Sequence, residues 1–146
     1  MVMVVDQVIE ARWVVPVVPH GVVLEDHAVV VHQGQICGVL PIAEVQDRYL
    51  PAERVSLPRH ALMPGLVNAH CHAAMTLMRG IADDLPLMTW LNEHIWPAEG
   101  ALISPAYVAD GVELAVAEML LGGTTAVNDQ YFFPEAAVEV YRRMGM

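Results

Sequence analysis

Met63-Pro64-Gly65-Leu66-Val67-Asn68-Ala69-His70-Cys71-His72 is the stretch on which the fold turns. Pro64-Gly65 marks a sharp start, and the short apolar run after it has strand character and ends in two histidines one residue apart. In a strand, residues i and i+2 share a face. The imidazoles of His70 and His72 can therefore reach a single cation, and imidazole nitrogen is a good ligand for Zn2+ and its first-row neighbours. A catalytic zinc usually has three protein ligands and an open position for water, and no later residue of the chain clearly supplies the third. On the residues alone, a hydrogen-bonded histidine pair at a strand end is the plainer alternative.

Outward from this stretch the pattern changes near residue 60. Downstream, residues 61–69 read as an apolar strand interrupted by Pro64-Gly65. Residues 86–96 have helical spacing, with Leu87, Trp90, Leu91 and Ile95 on one side. Ser104-Pro105 is an N-cap followed by proline at the first helical position, opening a helix that Gly122-Gly123 ends. Residues 124–128 form a β-branched strand, and Pro134 opens a last helix to about Met144. The order β, loop, α, β, α is that of a parallel α/β protein. Upstream, residues 8–18, 27–32, 35–40 and 54–57 read as short strands. Gln33-Gly34 makes a hairpin turn, and residues 41–50 a short helix. The chain thus divides into a small β module, residues 1–60, and the beginning of an α/β unit, residues 61–146.

Composition narrows the function. The 146 residues suffice for a domain with a real core, and 55% are hydrophobic. Formal net charge is −10 with only seven Lys+Arg, which disfavours a nucleic-acid partner or an anionic membrane. Cys37 and Cys71 make no disulfide framework. The start, Met1-Val2-Met3-Val4-Val5-Asp6, has no basic region, and the apolar runs are broken by Asp6, Glu10, Arg12 and Pro16. Neither a signal peptide nor a transmembrane helix is expected, and a cytoplasmic location is the default.

With His70-Cys71-His72 at the end of the first parallel strand, the chain resembles the amidohydrolase superfamily. Residues 62–72 look like its first barrel strand with the H-x-H metal pair. The Gln33-Gly34-Gln35-Ile36 hairpin looks like its N-terminal β-sandwich module. Met75-Thr76-Leu77-Met78-Arg79-Gly80, Asp83-Asp84-Leu85-Pro86-Leu87-Met88-Thr89-Trp90-Leu91, Trp96-Pro97-Ala98-Glu99 and residues 122–129 extend the match over most of the chain. The combination is most similar to the 5-methylthioadenosine/S-adenosylhomocysteine deaminases and their triazine-hydrolase relatives.

The resemblance implies a (β/α)8 barrel with one divalent metal, usually zinc, at the C-terminal face of the strands. His70 and His72 would be two of its ligands. The metal would lower the pKa of its bound water, and hydroxide would attack C6 of an adenine ring with loss of ammonia. In the family two further histidines, an aspartate and a proton-transferring glutamate come from later strands. No catalytic residue is therefore expected within this chain. Glu99 matches the carboxylate that accepts from the ribose hydroxyls of a nucleoside, a task its two oxygens suit. By composition alone it would be an exposed helix-start carboxylate. Trp90 reads equally as helix-face core or as an aromatic wall beside the base, and Trp96 as core. Cys71 should point away from the metal into packing. Asn68 should tie the strand end through its amide, Arg79 should pair with Asp83 or Asp84, and Asp129 should cap a loop, with substrate contact as the alternative.

Two other functions compete. One is a different amidohydrolase chemistry, triazine dechlorination or guanine deamination, against which a ribose-binding Glu99 speaks. The other is a non-catalytic fragment that binds metal or pairs with a partner subunit. The family tends to form homo-oligomers. A (β/α)8 barrel needs about 250 residues, and residues 61–146 supply two β/α units. The chain is thus expected to be an N-terminal fragment, inactive alone. An ammonia-release assay on the 146-residue chain with zinc and 5-methylthioadenosine should show no turnover above the buffer rate.

Overall fold

A computed structural model describes residues 2–146. The chain divides into two compact units between Pro64 and Gly65. The first is a four-stranded sheet in the order β3-β2-β1-β4, with β1 Met3–Val14, β2 Leu24–His32, β3 Gln35–Pro41 and β4 Tyr49–Leu62. The hairpin β2-β3 turns at Gln33-Gly34 as the sequence suggests, both residues having positive φ. Helix α1, Ile42–Arg48, carries the chain to β4, which lies parallel to β1. One cluster of Val5, Val8, Ala28, Val30, Leu40 and Val45 is fully enclosed, and a second gathers Ala11, Val14 and Val29. Glu10 is the one charged side chain buried among the described residues, and Arg54 neutralises it.

Three sequence expectations need correction here. The first strand begins at Met3 and ends at Val14, before Pro16, rather than spanning 8–18. The brief strand at 54–57 is a fourteen-residue strand. Its prolines at 51 and 58 argue against a strand in isolation, but β4 is an edge strand, where missing N–H groups cost no ladder bonds. Pro58 also lies where the register with β1 shifts, between Leu57 opposite Ala11 and Ala61 opposite Trp13. Finally, the interrupted strand 61–69 is two strands. β4 runs past residue 60 to Leu62, and β5, Leu66–Cys71, belongs to the other unit.

In the second unit β5 pairs in parallel with β6, Thr124–Asp129, so that Leu66 lies opposite Thr124 and Cys71 opposite Asp129. Parallel neighbours require a long crossover. It consists of a 3-10 turn at Ala73–Met78, a loop, a helical run from Leu87 to Leu102, and α4, Pro105–Leu121. The Ser104 hydroxyl accepts the Tyr107 N–H at 3.2 Å, and Gly122-Gly123 ends α4, as expected. Helix α5, Pro134–Met144, follows β6. The core joins Ala73 and Ala74 of the 3-10 turn, Val108, Val112, Ala115 and Val116 of α4, and Ala137 and Val140 of α5. No single helix among the described residues is long and apolar enough to cross a membrane.

The run from 87 to 102 is longer than the helix expected over 86–96, and it is not uniform. It starts as α2, Leu87–Trp90, widens to a π-helical turn at Leu91–Ile95, and resumes as α3, Trp96–Leu102. Pro97 gives the reason. A proline inside a helix lacks the N–H for the i−4 bond and its ring crowds that carbonyl, so the preceding turn must open.

Two glycines mark close approaches. At Gly65 an added Cβ would lie 2.1 Å from Thr125 Oγ1, so only glycine lets β5 begin beside β6. At Gly111, within α4, a Cβ would meet the backbone oxygen of Ala74 at 2.6 Å. Replacing a helical glycine by alanine ordinarily stabilises by about 1 kcal/mol. Gly111→Ala should instead destabilise by about 1–3 kcal/mol, because backbone must move to admit the methyl. Urea denaturation of the two proteins checks the sign.

Candidate metal and substrate site

The end of β5 is fastened to the end of β6 by several polar contacts. Gln130 N–H donates to the Cys71 carbonyl at 2.8 Å, and the Asn128 amide to the Ala69 carbonyl at 3.2 Å. Asp129 accepts the Ala73 N–H at 3.1 Å on one oxygen and the Tyr141 hydroxyl at 2.7 Å on the other. The capping role expected for Asp129 is thus what its carboxylate does. Asn68 Oδ1 lies 3.4 Å from the His70 N–H, and its amide points to Met119 Sδ at 3.8 Å.

On this fastened end His70 and His72 converge. Their Nε2 atoms are 3.3 Å apart and their rings meet edge to face. His72 Nδ1 is 2.6 Å from the Gln130 carbonyl oxygen. A carbonyl only accepts, so Nδ1 carries the proton and the Nε2 lone pair is free for a cation. Bonding the other ring nitrogen to a carbonyl is the usual support of a metal-ligating histidine. The spacing also fits: two nitrogens bound to a tetrahedral zinc at about 2.0–2.1 Å sit about 3.3–3.4 Å from each other. Among the described residues no third His, Cys, Asp or Glu joins them. Cys71 packs against the helical core instead, and burial raises its thiol pKa.

Beside His72 opens a cleft of about 600 Å³, a size that suits a small organic ligand. Met75, Leu87, Leu91, Ile95 and Phe132 supply apolar walls, and Glu99 and Gln130 polar ones. Trp90 lines it with the ring half-buried and its indole N–H on the Ile81 carbonyl at 3.0 Å, so the ring is both wall and anchor. Trp96 is not core: it is 50% exposed and lines the same cleft. Arg79 makes a two-pronged ion pair with Glu118, at 3.0 and 2.6 Å, rather than with Asp83 or Asp84. Asp83 and Asp84 are near in sequence, but residues 79–86 form a loop, and the partner comes from α4 instead.

Tyr131 was not singled out from the sequence. Its hydroxyl donates to Glu99 Oε1 at 2.7 Å, and its ring tilts against His72 at 5.9 Å. The signal available was its place just past the second strand, on the functional face of a barrel.

These elements define a class. Residues 61–145 match the amidohydrolase family, and the chain belongs to it. It is 49% identical over 141 residues to the 5-methylthioadenosine/S-adenosylhomocysteine deaminase of Saccharophagus degradans, a match covering 97% of this chain and 32% of that one. Among solved structures it is similar to an adenosine deaminase from Xanthomonas campestris with bound zinc, at TM-score 0.95 and 59% identity, over 98% of this chain and 33% of that one. Atrazine chlorohydrolase from Arthrobacter aurescens, complexed with zinc, shares the fold at TM-score 0.82 and 21% identity, over 96% and 34% of the two chains. The chain spans about a third of the length of the relatives it matches. The α/β architecture and the start of a (β/α)8 barrel expected from the sequence agree with these neighbours.

The Tyr141 hydroxyl has its pKa raised first by burial and then by its bond to Asp129. Its neutral form therefore stabilises the fold below the ordinary tyrosine value near pH 10, and that contribution is lost as pH rises toward the folded value. Tyr141→Phe should cost about 1.5–3 kcal/mol at neutral pH, the scale of a hydrogen bond to a charged group. The difference should narrow above about pH 10, measured as denaturation midpoints across the alkaline range.

Proposed function

We propose that this chain supplies two metal ligands and a substrate-binding wall of a zinc-dependent aminohydrolase. Its substrates are adenosine derivatives, 5-methylthioadenosine and S-adenosylhomocysteine, converted to the inosyl product and ammonia. The observation that carries this reading is the His70–His72 pair, 3.3 Å apart at Nε2, with His72 Nδ1 held by Gln130 beside the cleft that contains Glu99. The deaminase relatives named above point the same way.

His70 and His72 would hold the zinc, which when bound lowers the pKa of a coordinated water to near neutrality. The chain's other residues bind and orient. Glu99 has one oxygen on Tyr131 and further lone pairs for the sugar hydroxyls. Trp90, Leu91, Ile95, Trp96 and Phe132 offer apolar and aromatic surface for the base and the thioether, and displace water from them. A cytoplasmic setting, consistent with two free thiols, and a homo-oligomeric assembly of the whole enzyme belong to the same proposal.

Two measurements on this chain test it. Zinc should bind weakly, through two ligands, and His70→Ala or His72→Ala should reduce binding to background in a chelator competition. 5-Methylthioadenosine should change the emission of Trp90 and Trp96 saturably and bind more tightly than free adenine. Glu99→Ala should remove that preference, costing about 10- to 100-fold, the scale of a hydrogen bond to a charged group. Equal affinity for nucleoside and base in the unaltered chain would instead favour a guanine- or triazine-type substrate.

A further inference from the structure

We propose that Tyr131 is a positioning residue, whose hydroxyl holds one oxygen of Glu99 so that the other faces the hydroxyls of a nucleoside sugar. This rests on the nucleoside reading of the cleft. Glu99 lies in the first turn of α3, half-buried, with a flexible side chain. Among the described residues the Tyr131 hydroxyl is its one hydrogen-bond donor, at 2.7 Å to Oε1. An unheld glutamate would lose rotamer freedom on binding a ligand, whereas a glutamate already bonded at one oxygen has lost much of it.

Tyr131 is itself held. Its ring is half-buried, tilts at 56° against His72 and meets Phe132 edge to face at 5.1 Å. Its neighbour in sequence, Gln130, accepts from His72 Nδ1 through its backbone carbonyl. Two consecutive residues after β6 thus touch both halves of the site. Gln130 orients a histidine and Tyr131 orients the carboxylate, so the distance between metal side and sugar side is set by one peptide segment. The tyrosine acts through Glu99 and need not contact the ligand.

The test compares the unaltered chain with Tyr131→Phe, Glu99→Ala and the double variant. Binding of 5-methylthioadenosine and of adenine is read from tryptophan emission. Tyr131→Phe keeps the ring against His72 and removes only the hydroxyl. It should weaken 5-methylthioadenosine by about 2- to 10-fold, the scale of the side-chain ordering that an unheld glutamate would lose on binding. Adenine binding should stay unchanged. In the Glu99→Ala background the same substitution should have no further effect, because its influence passes through that carboxylate.

A Tyr131→Phe protein that keeps the full preference for nucleoside overturns the positioning role and leaves the nucleoside reading intact. Equal weakening of nucleoside and adenine also overturns it, since that marks a general structural role. An unaltered chain with no preference for nucleoside over adenine overturns both.

Discussion

The hydrogen bond from His72 Nδ1 to the Gln130 carbonyl is the contact on which the site depends. It crosses from the end of one strand to the end of its parallel neighbour. Parallel pairing brings β5 and β6 side by side only after a crossover of more than fifty residues, so this single bond reports that the crossover has closed in the correct register. It also settles the tautomer of the ring and so the direction in which the Nε2 lone pair points. Asn128, Asp129 and the Gln130 N–H share the task of locking the same two strand ends. With four polar contacts across one short junction, the histidines rest on a platform rather than a loop.

Much of this was legible in the sequence, and the reasons differ from place to place. His70 and His72 could be read because a strand's two-residue period is rigid: once Pro64-Gly65 sets the start, the parity of every later residue follows. Ser104-Pro105 and Gly122-Gly123 bounded α4 through local chemistry that needs no tertiary partner. Trp96 and Arg79 were misassigned for the opposite reason. Helical spacing says which residues share a face but not whether that face meets core or cleft, and charge proximity along the chain says nothing of Glu118, thirty-nine residues distant. Tyr131 and Gln130 were missed because their roles, a backbone carbonyl and a hydroxyl reaching another element, exist only in the folded unit.

The two units reach their compactness by different means. The first is a sheet with small β-branched cores, in which one buried charge, Glu10, is answered by Arg54. The second packs alanine, valine and glycine so closely that helix backbone touches helix backbone at Gly111 and Ala74. Small residues there allow a close approach between α4 and the turn that follows His72. The turn's position, and with it the direction of His72, is in this way set by van der Waals contact as well as by hydrogen bonding.

The π-helical turn at Leu91–Ile95 bears on how the cleft is furnished. Trp90 and Glu99 are nine residues apart, and in an uninterrupted α-helix at about 100° per residue they would stand on opposite sides, about 180° apart. Here both line one cavity. The widened turn rotates less per residue and brings the second half of the helix back toward the first. The helix therefore works as a phase adjuster, and the number of residues between Trp90 and Pro97 is as much a part of the site as the identity of either end. One residue added or lost within this stretch would swing Glu99 out of the cleft while leaving the helix itself intact.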